Sequence, residues 1–294
     1  MKDILTIIIR LTLSCMLAAT VMGAAFLVTN KAKKHNEHVN EQKVRYSLLG
    51  YSAEKPIPDS MALHELYRYI VSDDKSQAIG YLLPGKEGFI FVTIDLEGKI
   101  IDNKPVEIDE AKVLEKDERD KIVRAIVGAG KDVKFADQTI VVTDNGKRVA
   151  YLLDGKFTGF KTFIGVMLAL DPQFSLRGLE ILEHEEDPGL GAEIVQDYFK
   201  NQFKGKSFET LKKLEVVKEP MPDEYFKAME GDVAEADAAA ILKQYADHDI
   251  YALTGATISS RSVNNGVKGI VKKFAYRLNI LDTVLAEQKI AVAF

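Results

Sequence analysis

The chain has 294 residues, enough for one large domain or two small ones. Hydrophobic residues make up 47% and charged residues 28%, the balance of a globular protein rather than a disordered one. A formal net charge of −5 leaves no basic surplus to meet phosphates, so no nucleic-acid partner is expected, and one cysteine, Cys15, excludes an internal disulfide, an iron–sulfur centre and a cysteine-rich zinc site.

Leu11 to Val28 is a run of 18 residues without a charge, extended upstream past Arg10 by Leu5 to Ile9. About 20 apolar residues cross a bilayer core as a helix, with an arginine near one end free to reach the headgroups. A cleaved signal peptide is the rival reading, and the length of the segment favours a retained anchor in contact with lipid. Lys2 and Arg10 precede the span while Lys31, Lys33 and Lys34 follow it, so charge counting does not place the remainder outside the cytoplasm. Residues 29–48 read as a polar helical stalk. His35 and His38 stand at helical spacing there, but no third ligand lies nearby, and a solvated face is the better reading. No metal site is expected anywhere in the chain.

Met61 to Val71 reads as a short amphipathic helix. An internal echo follows: Gly80-Tyr81-Leu82-Leu83-Pro84-Gly85-Lys86 returns seventy positions later as Ala150-Tyr151-Leu152-Leu153-Asp154-Gly155-Lys156. Each copy follows a turn (Asp73-Asp74-Lys75, then Asp144-Asn145-Gly146) and precedes a Gly-Phe pair, Gly88-Phe89 and Gly159-Phe160. Strand-like runs come next, Ile90 to Ile94 and Phe163 to Leu168. Two β-meanders of similar design are expected, with a helix over 111–127 between them; chance likeness of two hairpins is the alternative. Helical patterns resume at Ala192 to Phe203 and at Glu224 to Ala246, the latter broken at Gly231-Asp232. The tail after Asn279 is amphipathic and short, fit to pack on the domain or to touch a partner.

Two stretches hold the chemistry. In Leu253-Thr254-Gly255-Ala256-Thr257-Ile258-Ser259-Ser260-Arg261, small residues and hydroxyls precede an apolar-periodic segment with Val263, Val267, Ile270, Val271, Phe274 and Leu278 on one face. Free N–H groups at such a helix start favour a phosphate, although a plain N-cap fits the same residues. The Gly spacing and Lys of a P-loop are missing, which argues against a nucleoside triphosphate. Upstream, Leu182-Glu183-His184-Glu185-Glu186-Asp187-Pro188-Gly189-Leu190-Gly191-Ala192 combines a carboxylate run, read as a solvated strand end, with a tight turn.

The first stretch resembles the S/T-G-A-T-x-S/T signature of the FMN-binding domain found in G subunits of Rnf complexes and C subunits of Na+-translocating NADH:quinone reductases. The second resembles that domain's H-x-E-T-P-G-L-G segment, and Asp197-Tyr198-Phe199, Phe203 and Gly205-Lys206 continue the likeness. The resemblance covers roughly residues 4–48 and 139–280. It implies FMN held covalently by a phosphoester to Thr257, with Gly255 and Ala256 giving the phosphate room and Thr254, Ser259 and Ser260 bonding its oxygens. Arg261 either offsets its charge or is a surface arginine. Gly189, Leu190 and Gly191 would lie against the flavin, with Leu190 on the ring, and His184 would help to position it. The flavin carries the electrons, so no catalytic side chain is expected. Two departures stand out. Asp187 replaces the family's usual Thr, and Tyr251 replaces an Asp associated with loading by a Mg-dependent flavin transferase.

The expectation is therefore an α+β protein: a single N-terminal transmembrane helix, then a mixed FMN-binding domain with two β-meander-like halves and flanking helices. The expected division is an anchor at 1–30, a stalk at 31–58, an added degenerate half at 59–135, the FMN-binding domain at 136–280 and a tail at 281–294. The resemblance implies a one-electron relay in an Rnf-type ferredoxin:NAD+ oxidoreductase coupled to Na+ or H+ movement. Its partners would be the other subunits of that complex, with the soluble part outside the bacterial inner membrane. The rivals are the C-type component of a Na+-translocating NADH:quinone reductase and a flavin-free, membrane-tethered assembly or binding protein.

Overall fold

The computed structural model describes residues 2–74 and 76–294; Met1 and Lys75 lie outside the described residues, as do a few side chains, among them His35 and His38. The first helix, α1 (Lys2–Leu48), contains a 24-residue apolar stretch, Ile4–Leu27, long enough to cross a membrane. Its large side chains, such as Ile4, Leu11, Met16 and Phe26, are exposed around the helix. An all-round apolar helix without protein cover needs a non-aqueous surrounding. Residues 1–47 form one compact unit and residues 48–294 another.

In the second unit eight strands make one antiparallel sheet: β1 (Met61–Ser72), β2 (Gln77–Pro84), β3 (Phe89–Asp95), β4 (Ile100–Val106), β5 (Asp132–Asp144), β6 (Lys147–Thr158), β7 (Phe163–Leu170) and β8 (Leu176–Glu183). Their order is β4-β3-β2-β1-β5-β6-β7-β8. Each half is a four-stranded meander in chain order, and the two join where β1 pairs antiparallel with β5. This order relates the halves by a pseudo-twofold axis normal to the sheet, which keeps equivalent residues on the same face. Tyr81, Leu83, Tyr151 and Leu153 share one core, while Leu82 and Leu152 lie on the opposite face. The echo is thus repeated in facing as well as in spelling.

The helical cover breaks the symmetry. The long α8 (Thr257–Glu287) buries Val263, Val267, Val271, Phe274, Leu278, Leu281 and Leu285 under the shared face of both halves. On the other face, α2 (Glu110–Leu114) and α3 (Lys116–Val127) cover the first half and the start of β5, placing Val113 and Val123 in one cluster with Tyr67, Tyr69, Val71, Leu82, Phe91 and Val133. The remaining elements are α4 (Asp197–Lys200), α5 (Phe208–Lys213), α6 (Asp223–Glu230), α7 (Glu235–Gln244) and a small parallel pair, β9 (Val216–Val217) with β10 (Ile250–Tyr251).

Two sequence expectations are corrected. Met61 to Val71 is a strand, not a helix. Leu63, Leu66, Tyr67, Ile70 and Val71 satisfy helical spacing, but Tyr67, Tyr69 and Val71 alternate into one core and Leu66 turns to the other. Pairing with β2 and β5 on both sides decides for the strand. Ala192 to Phe203 is not one helix but a 3-10 turn (Gly191–Val195), α4 and a second 3-10 turn (Asn201–Phe203). Breaking the run lets both Ile194 and Phe199 reach full burial. The C-terminal tail packs on the first half: Val292 bridges Gly85, and the Ala293 N–H donates to the Pro84 carbonyl at 3.0 Å.

Candidate functional site

Thr257 is the first residue of α8, and Ala256 precedes it as an N-cap whose side chain makes no capping bond. A turn delivers the chain to this point. The Ala256 N–H donates to the Leu253 carbonyl at 3.0 Å, and Gly255 sits at φ +75°, where residues with a Cβ are strained. The second stretch folds in the same way. The Leu190 N–H donates to the Asp187 carbonyl at 3.1 Å, with Pro188 and then Gly189 at φ +73° between them. Proline followed by a left-handed glycine is the signature of a type II turn.

The two turns abut. A Cβ on Gly255 would stand 3.0 Å from Leu190 Cδ2, and one on Gly191 would stand 2.6 Å from Ser259 Oγ. Stretches more than sixty positions apart in sequence therefore form one surface. The exposed side chains on it include Leu190 and Ile258, 46% and 56% exposed.

The four hydroxyls of the run divide into two pairs. Ser260 is fully buried; its Oγ accepts the Leu253 N–H at 3.0 Å and donates to the Ala256 carbonyl at 3.0 Å, closing the turn. Ser259, also buried, donates to the Glu186 carboxylate. Thr254 is exposed and Thr257 half-buried, and among the described residues neither hydroxyl has a hydrogen-bond partner. Arg261 is exposed.

The carboxylate run before the turn is not a uniformly solvated strand end. Glu183 and Glu185 are exposed, but Glu186 is 5% exposed and accepts the backbone N–H groups of Phe160 at 2.8 Å and Lys161 at 3.2 Å. His184 Nδ1 accepts the Glu186 N–H at 3.2 Å, a local bond that shapes the approach to the turn. Asp187, in the place of the family's Thr, forms an ion pair with Lys161, so its charge has a counterion at the rim.

Sequence reasoning missed Glu186 and Gln202. Gln202 is 1% exposed, and its side-chain amide pairs with the backbone of Tyr251, accepting its N–H at 2.7 Å and donating to its carbonyl at 3.3 Å. The Tyr251 ring, 6.0 Å from that of Tyr225, joins the cluster of Tyr225, Met229 and Tyr245. A residue type that packs thus stands where the family signature has a carboxylate. The E of the family's H-x-E-T-P-G-L-G segment falls on Glu186, but nothing local shows that Glu186 or Gln202 is buried or what each one binds; only the segments that meet them do. Behind the site, Lys206 is 1% exposed and donates to the carbonyls of Tyr245, Ala246 and His248 at 3.5, 3.1 and 2.6 Å. Burial pushes its ammonium down to about 8.

Residues 159–272, the stretch that contains both turns, match the model of the FMN-binding domain family. Over 128 residues the chain is 30% identical to the G subunit of the proton-translocating ferredoxin:NAD(+) oxidoreductase complex of Clostridium ljungdahlii; the match covers 43% of this chain and 54%, about half, of that relative. The crystal structure of Shewanella oneidensis NqrC aligns with a TM-score of 0.41 and 18% identity, over 78% of this chain and 89% of that one. The C subunit of the Na(+)-translocating NADH-quinone reductase from Parabacteroides distasonis aligns with a TM-score of 0.34 and 20% identity, over 65% of this chain and 76% of that one.

Proposed function

We propose that the chain is a membrane-anchored FMN carrier, a one-electron relay in an Rnf-type ferredoxin:NAD+ oxidoreductase coupled to Na+ or H+ translocation. The observation that carries this reading is the division of the hydroxyls. Two serines are spent on holding the turn, while Thr257 stands half-buried at the start of a 31-residue helix with no hydrogen-bond partner for its hydroxyl among the described residues. The first N–H groups of that helix have no intrahelical acceptor and suit a phosphate. These residues fit FMN bound by its phosphate.

In this reading Thr257 Oγ holds the flavin as a phosphoester. Loading by a flavin transferase exchanges the Oγ–H bond for an Oγ–P bond. FMN's own phosphate would stay on Thr257 Oγ, the second phosphoryl group of the anhydride donor would leave with the bridging oxygen and its charge, and the hydroxyl proton would pass to solvent. Gly255 and Ala256 keep the approach open and Thr254 bonds a phosphate oxygen. Ser259 and Ser260 serve the phosphate by fixing the turn that presents it. Gly189, Leu190 and Gly191 form the wall beside it, with Leu190 against the ring. Bound FMN supplies a redox centre that accepts and returns electrons singly; the chain holds and orients it. A tether suits so open a surface, because it prevents loss of the flavin between turnovers.

The anchor at 1–30 and stalk at 31–58 keep the carrier in the inner membrane, with residues 59–280 on its extracytoplasmic side among the other subunits. Residues 59–135 are an added half without a flavin, residues 136–280 the FMN-binding domain and 281–294 its tail. Tyr251, committed to packing, favours a second reading: a flavin-free assembly protein. In-gel fluorescence of the denatured chain, co-expressed with the transferase, separates the two. A fluorescent band that Thr257→Ala abolishes supports the carrier. A dark wild-type band favours the scaffold. A peptide mass gain of FMN minus water on Thr257 fixes the point of attachment.

A further inference from the structure

We propose that Glu186 is the positioning residue of this site, its carboxylate fastening three separate segments and so setting the direction of the Thr257 hydroxyl. The role given to Thr257 rests on the carrier reading above; the fastening rests on geometry alone.

A carboxylate buried to 5% exposure is costly unless its oxygens are met by donors. Glu186 has donors from two distant segments. Oε1 accepts the N–H groups of Phe160 and Lys161 in the β6–β7 turn, and Oε2 accepts the Ser259 hydroxyl in the first turn of α8. Glu186 itself belongs to the strand end that leads into the 187–191 turn. Two glycines make the space. A Cβ on Gly159 would stand 2.4 Å from Oε1, and one on Gly191 would stand 2.7 Å from Oε2. The glycine of the second Gly-Phe pair and the last glycine of the P-G-L-G turn thus both admit this one carboxylate.

The consequence for Thr257 follows from its place. Ser259 lies two residues beyond it, within the same helical turn, and the N-cap Ala256 offers no side-chain bond to fix that turn. The other side-chain ties there come from Ser260, which holds the chain to Leu253 and Ala256 within its own turn. The Glu186–Ser259 bond is therefore the side-chain link that fixes how the start of α8 is set against the wall formed by Leu190. Misplacing a reacting group by about 1 Å costs on the order of 100-fold in rate, so a loosened helix start should show as slow loading.

The test uses the full chain in membranes with the flavin transferase co-expressed, and follows the rise of covalent fluorescence with time. Ser259→Ala removes one bond and leaves the carboxylate its two backbone donors, so it keeps the fold. Glu186→Ala removes all three bonds. Glu186→Gln keeps an oxygen for both N–H groups and offers its amide to Ser259. Loading is expected to slow about 10–100-fold in Ser259→Ala and Glu186→Ala, to stay within about threefold of wild type in Glu186→Gln, and to fall no further in the Glu186→Ala/Ser259→Ala double variant. Wild-type loading in both alanine variants overturns the proposal and leaves the carrier reading intact. So does a glutamine variant as slow as alanine, since charge and not fastening would then matter. If the wild-type chain carries no FMN, the carrier reading fails, and amide hydrogen exchange on the flavin-free chain decides the fastening. Faster exchange at residues 257–260 and 160–161 in Glu186→Ala than in wild type upholds it, and equal exchange overturns it.

Discussion

Tyr81 and Tyr151 occupy equivalent places in the two meanders, turn to the same face, each stand beside an arginine, and otherwise meet different company. Tyr151 stacks with Phe174 at 5.9 Å and meets Phe274 edge-on at 5.2 Å. Tyr81 lies beside a charged group in which Asp137 binds Arg68, with a contact at 2.9 Å, and Arg277 at 3.0 Å. The buried cations differ likewise. In the first half Arg119 donates to the Tyr69 hydroxyl at 3.0 Å and the Val113 carbonyl at 2.7 Å and lies 3.9 Å from the Tyr67 ring centre, fastening α3 to the sheet. Behind the site in the second half, Lys206 holds only carbonyls. A repeated strand pattern thus preserves facing and leaves the surroundings free to diverge. Only the second half has grown the two turns.

If function resides in the second half alone, Thr257→Ala should remove all covalent flavin, while Tyr81→Phe in the first half should leave the loading seen by in-gel fluorescence unchanged. Packing should differ next. Tyr151→Ala is expected to cost about 3–5 kcal/mol in urea unfolding, because it empties an aromatic cluster, whereas Tyr81→Phe should cost no more than about 1 kcal/mol. Arg119→Ala, which leaves the Val113 carbonyl and the Tyr69 hydroxyl without their donor, should cost about 2–4 kcal/mol and loosen α3 in hydrogen exchange.

The lysine gives a pH signature that the arginine lacks. The Lys206 ammonium titrates at about 8 in the folded chain against 10.5 for the ordinary group. Between those values the unfolded chain holds more protons, so stability rises with pH across the window. Wild type should gain on Lys206→Met by up to about 3 kcal/mol from pH 8 to 10.5, read from parallel unfolding curves. A flat difference would mean that the three carbonyl bonds keep the ammonium charged. The smallest effect belongs to the rim. Asp187→Thr breaks an ion pair whose side chains are 40% and 45% exposed, and stability should move by less than about 0.5 kcal/mol.

The apolar span, the two meanders and the two turns are legible in the chain, because each is encoded by neighbours: an uncharged run, a seven-residue echo, glycines at the turns that need positive φ. Met61 to Val71 reads as a helix and folds as a strand, since its apolar spacing serves either structure and the deciding partners lie on β2 and β5. The unbroken helix expected over 192–203 fails for a similar reason: local periodicity does not register that Ile194 and Phe199 must both reach the core. At the site the sequence supplies the hydroxyls and glycines but not their division of labour. By residue type alone Glu183, Glu185 and Glu186 look alike, and so do Thr257 and Ser259; the family signature picks out Glu186 and Thr257 without showing what surrounds them.

By itself, then, the sequence determined which residues are present to cross a bilayer, turn sharply and offer a hydroxyl at a helix start, since those properties depend on side-chain type and short spacing. Tertiary structure decided which carboxylate is buried, that both serines are spent on the fold, and that Thr257 at the helix start is left half-buried beside them. Those outcomes depend on the meeting of the 159–161, 184–191 and 253–260 segments, and on the cost of leaving any buried polar atom without a partner.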